Sequence, residues 1–203
     1  EIKAPNETMG SISLQKYFMG YGTMTGMSGS VLPVADELYA TYDVRTVAIE
    51  PSREINRVDQ GLRIYATDGA KRGALARQLL ETHQTGRPIL LGVQNVTEAE
   101  KYKQLLLANG IDEQHIQMLT ARDALEDSFE EAKLVSHAGQ AGKITIATNM
   151  AGRGTDIKLA PEAAAQGGLH VIMSYIPEST RAIQQFVGRA GRLGDPGSSA
   201  VYG

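Results

Sequence analysis

"KITIATNMAGRGTDI", residues 143–157, begins as one kind of structure and ends as another. Its first six residues are Ile- and Thr-rich without charge after Lys143, the pattern of a short strand buried on both faces. The glycines that follow stop the strand and open a loop. In an open parallel sheet, ligands collect outside the carboxyl ends of the strands, so "NMAGRGTD" is expected at a ligand-bearing edge. Gly152 and Gly154 would let backbone approach a ligand or a neighbouring domain closely, and Arg153 supplies a planar cation. Asp156 supplies an acceptor for a ribose hydroxyl, a metal-bound water or another arginine. The simpler reading is a tight turn carrying an Arg–Asp surface pair.

Outward from this stretch, short apolar runs alternate with helical patterns from about Val44 onward. Residues 45–50, 62–66, 88–94, 115–119 and 169–173 read as further strands. Between them, residues 68–86 place Ala76, Leu79, Leu80 and His83 at helical spacing before Gly86. Residues 95–110 set Thr97 and Glu100 in capping-box spacing and Tyr102, Leu105 and Leu106 on one face. Residues 124–139 put Leu125, Phe129, Ala132 and Val135 together. Alternating strand and helix predicts an α/β domain, an open and mainly parallel sheet covered by helices on both faces. Residues 1–43 are glycine-rich and do not extend the alternation, so they read as the end of a preceding domain and a linker, with the main domain at 44–203.

A second cluster, "QQFVGRAGRLGDPGSS" at 184–199, follows the last expected helix. A helix over 179–190 would carry Arg181, Gln185 and Arg189 on one polar face and Ile183, Phe186 and Val187 on the other, with Arg192 one turn further if Gly191 permits. A solvated basic face normally mixes Lys and Glu. This one has guanidiniums and glycines, which suits an anion. Nowhere does the sequence contain the Gly-rich Lys-Ser/Thr loop that grips a triphosphate. Guanidiniums delivered to a triphosphate held by another domain contribute about 10³–10⁵ in rate, roughly 4–7 kcal/mol of barrier. The chain therefore reads as the half that completes a nucleotide site.

Composition narrows the alternatives. The 203 residues are 42% apolar and 21% charged, ordinary for a globular domain, with a net charge of −3. That sign argues against nucleic acid as the partner, because phosphate neutralisation by basic residues supplies most nucleic-acid affinity. With no cysteine there is neither a disulfide nor a thiolate metal site. His83, His115 and His137 show no metal-ligand spacing, and His170, inside a strand pattern, reads as structural. No apolar run approaches membrane-spanning length.

The two clusters, with "GGLHVI" at 167–172, closely resemble the second motor domain of the SecA family, ATP-driven protein translocases. Residues 11–30 resemble the end of that family's first motor domain, with Ser28 and Ser30 where its third helicase motif has Thr, and "RPILLGVQNVTEAE" resembles the fourth motif region. The resemblance implies a RecA-like domain of the P-loop NTPase type, lacking a phosphate-binding loop of its own. It would close on ATP and Mg²⁺ held mainly by the preceding motor domain. By the same resemblance Gly152, Arg153, Gly154 and Asp156 belong to the nucleotide-touching fifth motif. Gln185 belongs to the sixth, whose arginine fingers would be Arg189 and Arg192, and Arg181 would contact the neighbouring motor domain.

It further implies a preprotein substrate, a SecY-type membrane channel, and a cytoplasmic location, peripheral to the inner membrane at most. Alone, the chain should not hydrolyse ATP appreciably. "MSYIPEST", the short spacer "KLAPEAAAQ" and "LTARDALED" depart from the family's pattern and point to a divergent or accessory member. Two other readings stand beside this one: the second domain of a superfamily 2 nucleic-acid helicase, and a regulatory module without hydrolysis.

Overall fold

The computed structural model describes residues 10–120, 128–148 and 156–203. The chain divides into two compact units between Glu50 and Pro51. In the first unit, α1 (Leu14–Phe18) is capped by the Ser13 hydroxyl, which accepts from the Lys16 amide at 3.3 Å. α2 (Ala35–Tyr42) closes at Asp43, whose φ of 54° is left-handed. Apart from Ser30, its described residues bury no side chain, and Met27 (97% exposed), Ile49 (85%) and Val47 (78%) face outward. Residues 45–50, expected as a strand, form no strand and pair with none among the described residues. Their β-branched residues have no neighbouring strand to bond, and β-propensity without a ladder makes no strand.

The second unit is built on a six-stranded sheet in the order β1-β6-β5-β2-β4-β3. The strands are β1 (Arg57–Arg63), β2 (Ile89–Val93), β3 (Ile116–Leu119), β4 (Ile144–Thr148), β5 (Leu169–Met173) and β6 (Gly197–Tyr202). Every pairing is parallel. All positions of β2, β4, β5 and β6 are buried. Alternation sorts their side chains to two faces. Ile89, Leu91, Ile144 and Ile146 pack with Leu75, Leu79 and Leu106 of α3 (Asp68–Gln84) and α4 (Val96–Ala108). Leu90, Val171 and Met173 pack with Val135 of α5 (Ser128–His137) and with Phe186 and Val187 of α7 (Thr180–Val187). The short α6 (Pro161–Ala165) precedes β5.

Local expectations shift in three places. The buried stripe of α3 runs through Leu75, Leu79 and Thr82, one residue out of step with the expected face, leaving Ala76, Leu80 and His83 half-buried. The α4 capping box is Asn95 with Glu98: the Asn95 side chain accepts from the Glu98 amide at 2.9 Å, and Glu98 accepts from the Gln94 amide at 3.4 Å. The strand expected at 62–66 lies earlier, at Arg57–Arg63. Leu125 falls outside the described residues, as do the side chains of Phe129 and Ala132.

β6 itself is an addition, because "GSSAVY" opens on the glycine of a Gly-Asp-Pro-Gly sequence that reads as a loop. Partners from other elements make its serines buriable. Arg87 donates to the Ser198 hydroxyl at 2.7 Å, and Ser199 donates to Asp59 at 2.5 Å. The same Ser198 hydroxyl is hydrogen-bonded to His170 Nδ1, 2.7 Å away. Burial first, then the nearby Arg87 cation, hold the His170 pKa down at about 4. The structural role read for His170 follows from this chain of hydrogen bonds.

Candidate functional site

α7 is short because of glycine. Its N-cap Ser179 accepts from the Ala182 amide at 3.2 Å, and it ends at Val187, where the Gly188 N–H caps it by donating to Gln184 O. A side chain at Gly188 would meet Gln184 O at 2.7 Å. The helix expected over 179–190 thus stops three residues early. Arg181 and Gln185 share the exposed face as expected, opposite buried Phe186 and Val187. Arg189 does not extend that face: it lies beyond the cap, half-buried, with its guanidinium carbon 5.5 Å from the centroid of the Phe186 ring.

Phe186 fixes where this happens. Gly92 of β2 leaves the space its ring occupies, since a Cβ there would meet Phe186 Cζ at 2.5 Å. The helix is drawn onto the sheet at that point, and the arginines are delivered from its end.

The chain then turns through Gly191 (φ 69°), Leu193 (φ 53°) and Gly194 (φ 88°), with a 3-10 turn at Arg192–Gly194. Left-handed backbone is open to glycine, but at Leu193 it costs about 1–2 kcal/mol. Arg192 folds back on this turn. Its Nε donates to Gly188 O at 3.0 Å and its Nη1 to Asp156 at 2.6 Å. The structure thus brings together Asp156 and Arg192, 36 residues apart in sequence. An arginine is one of the partners open to Asp156, and the structure pairs it with Arg192. With side-chain exposures of 41% and 46%, the pair contributes at most about 1 kcal/mol to stability, so its consequence is orientation. Gly152, Arg153 and Gly154 lie outside the described residues.

The arginine loop of the second cluster has a defined place on the sheet. Gly191 packs against Arg57 and Gly197, the first residues of β1 and β6, so the arginine loop sits beside the amino ends of those strands. The reason is topological: after β5, α7 runs back across the sheet and releases the chain where β6 begins.

Two residues without a motif also reach the loop. Arg53 Nη1 donates to Leu193 O at 3.0 Å. Arg57 Nη1 lies 3.5 Å from Ala190 O, while its Nε and Nη2 grip Asp59 at 2.7 and 2.9 Å. These bonds hold the Asp59 carboxyl below its usual range. Neither arginine is detectable from spacing, because each acts on a loop about 130 or more residues away in sequence. Among the described residues, no helix is long and apolar enough to cross a membrane.

An open parallel sheet with helices on both faces and an arginine loop after its fifth strand defines a RecA-like α/β domain. The fold resembles that of the yeast DEAD-box splicing factor Prp28, with a TM-score of 0.57 and 18% identity, covering 84% of this chain and 35% of that one. A family model described as the SecA P-loop domain matches residues 54–166. The chain is 41% identical over 202 residues to the protein translocase subunit SecA of Bacteroides fragilis, covering 100% of this chain and 18% of that protein. It is 41% identical over 204 residues to the protein translocase subunit SecA 2 of Bacillus thuringiensis, covering 100% and 25%. The chain belongs to the SecA family. It spans between 18% and 25% of the length of these relatives.

Proposed function

We propose that this chain is the second motor domain of a SecA-like ATPase, which completes an ATP site held mainly by a preceding motor domain and couples hydrolysis to protein translocation. The observation that carries the reading is the pairing of Asp156 with Arg192 in a loop that also presents Arg189. The donor set fits a triphosphate. Nε and one Nη1 proton of Arg192 are committed to Gly188 and Asp156, and among the described residues the Nη2 amino group has no partner. It is free to approach phosphate oxygens while Asp156 fixes the plane of the guanidinium. A cation fixed in advance needs no reorganisation when charge develops on the transferring phosphoryl group. ATP supplies that group, and its Mg²⁺ would be bound with it by the preceding domain.

On this reading residues 1–43 are the end of the first motor domain and a linker. The outward apolar side chains of the first unit support this, since they suit a surface covered by the rest of such a domain. Arg181 and Gln185, on the exposed face of α7, would meet the preceding domain and its nucleotide. A preprotein substrate and a SecY-type channel are the partners the family membership supports, with the protein cytoplasmic or peripheral to the membrane.

The test is ATP turnover by the full-length protein containing this chain, comparing wild type with Arg189→Ala and Arg192→Ala. A loss of about a thousandfold in variants that still bind ATP is expected. Full activity in both, or turnover by residues 1–203 alone, would overturn the assignment.

A further inference from the structure

We infer that Arg53 is a positioning residue for Arg192, acting through the backbone of the turn that carries it; the inference rests on the function proposed above. The segment from Arg53 to Arg57 lies along the arginine loop and bonds to it at both ends. Arg53 donates to Leu193 O at 3.0 Å, and the Gly197 amide donates to Asn56 O at 3.1 Å. Between these, Arg57 approaches Ala190 O at 3.5 Å, and its Cβ fills the space a side chain at Gly191 would need.

Arg57 is the fixed end. Its bidentate bond to Asp59, which also accepts from Ser199, anchors it to β1 and β6. Arg53 is the arm. Its side chain passes over Gly194, within 3.4 Å of where a Cβ would be, to reach the carbonyl of the next residue back.

The position of that bond matters because of Leu193. A left-handed leucine that is 72% exposed has no packing to hold it, so its backbone needs another constraint. Arg53 caps the carbonyl of this residue, directly after Arg192. Without it, Leu193 can relax to a right-handed conformation, which swings the preceding guanidinium away from its bond to Asp156. Positioning errors of about 1 Å at a reacting group can cost about a hundredfold in rate. The effect belongs to turnover, because the proposed ATP contacts of the preceding domain are untouched.

The experiment uses the full-length protein and measures kcat and KM for ATP in Arg53→Ala, Arg53→Lys, Arg192→Ala and the double variant Arg53→Ala/Arg192→Ala, with Tm for each. Arg53→Ala is expected to lower kcat about tenfold with KM within about twofold. Arg53→Lys should recover most of the loss, since an ammonium on a long stem can also donate to a carbonyl. The double variant should turn over no more slowly than Arg192→Ala, because the arm acts only through that residue.

Wild-type kcat in Arg53→Ala beside an impaired Arg192→Ala would overturn the inference and leave the proposed function standing. A further loss in the double variant, or a lowered Tm that accounts for the lost turnover, would assign Arg53 a general structural role and also overturn it. An active Arg192→Ala would instead overturn the proposed function.

Discussion

Gly191 offers the most direct test of how the arginine loop is built. Its φ of 69° is a conformation that alanine adopts at a cost of about 1–2 kcal/mol. Its missing side chain also matters: an added Cβ would lie 2.7 Å from Arg57 Cβ and 3.4 Å from Arg57 Cα and N. Those atoms belong to or adjoin backbone held by β1 pairing and by the Asp59 bond, so they cannot move aside as a side-chain tip would. Overpacking of this kind costs about 1–3 kcal/mol. Gly191→Ala should therefore destabilise the chain by about 2–5 kcal/mol, the sum of these two ranges. Gly73, in the exposed middle of α3, is the matched control. Nothing lies within 4 Å of its missing Cβ and its φ is not positive, so alanine there should stabilise by about 0.5–1 kcal/mol. Urea unfolding followed by circular dichroism reads both as shifts of midpoint at constant slope. A Gly191→Ala midpoint equal to wild type would refute the description of this loop as constrained by Arg57.

Two further outcomes follow from the core. Gly92→Ala drives a methyl into the Phe186 ring, so stability should fall by about 1–3 kcal/mol. Adding Phe186→Leu should return part of that loss, and denaturant titration of the pair as a double-mutant cycle measures the return. His170 has a folded pKa of about 4, against 6.5 in the unfolded chain, so between those values the unfolded state binds the extra proton. Stability from this group is complete above about pH 6.5 and falls as pH drops toward 4, by about 3 kcal/mol in all. The His170 ring resonance in an NMR pH titration should stay at its neutral position down to about pH 5. A midpoint near 6.5 would contradict the buried, neutral imidazole.

The buried strands and the fold class were readable from sequence wherever a strand's partners left an apolar signature in its own residues. β2, β4 and β5 are short, uncharged runs dominated by Ile, Leu and Val, and their length and β-branched content mark them as buried strands. β6 was hidden because its burial depends on Arg87, His170 and Asp59, and no local pattern announces a serine whose partner is elsewhere. The same holds for the site. Asp156 and Arg192 announce themselves in glycine-bracketed motifs, yet their mutual contact is tertiary. The early end of α7 could have been anticipated from Gly188 and Gly191, since two glycines within four residues of a helix end favour a turn over another helical repeat. Arg53 and Arg57 could not, because their role comes from strand order: β1 lies at the sheet's edge against the last strand in the chain.

That pairing sets a schedule for biosynthesis. Asp59 and Ser199 are 140 residues apart, so β1 leaves the ribosome long before β6, its strand neighbour among the described residues, exists. At about 5–20 residues per second the wait is roughly 7–28 s. During that interval β2, β3, β4 and β5, with α3, α4 and α5, can already associate, while residues 51–63 remain unplaced. The arginine loop is made immediately before β6, and the segment that grips it docks only when β6 does. The arginine loop is thus seated only once β6 is made, and a nascent chain interrupted before Gly197 carries Arg189 and Arg192 without the strand that seats them.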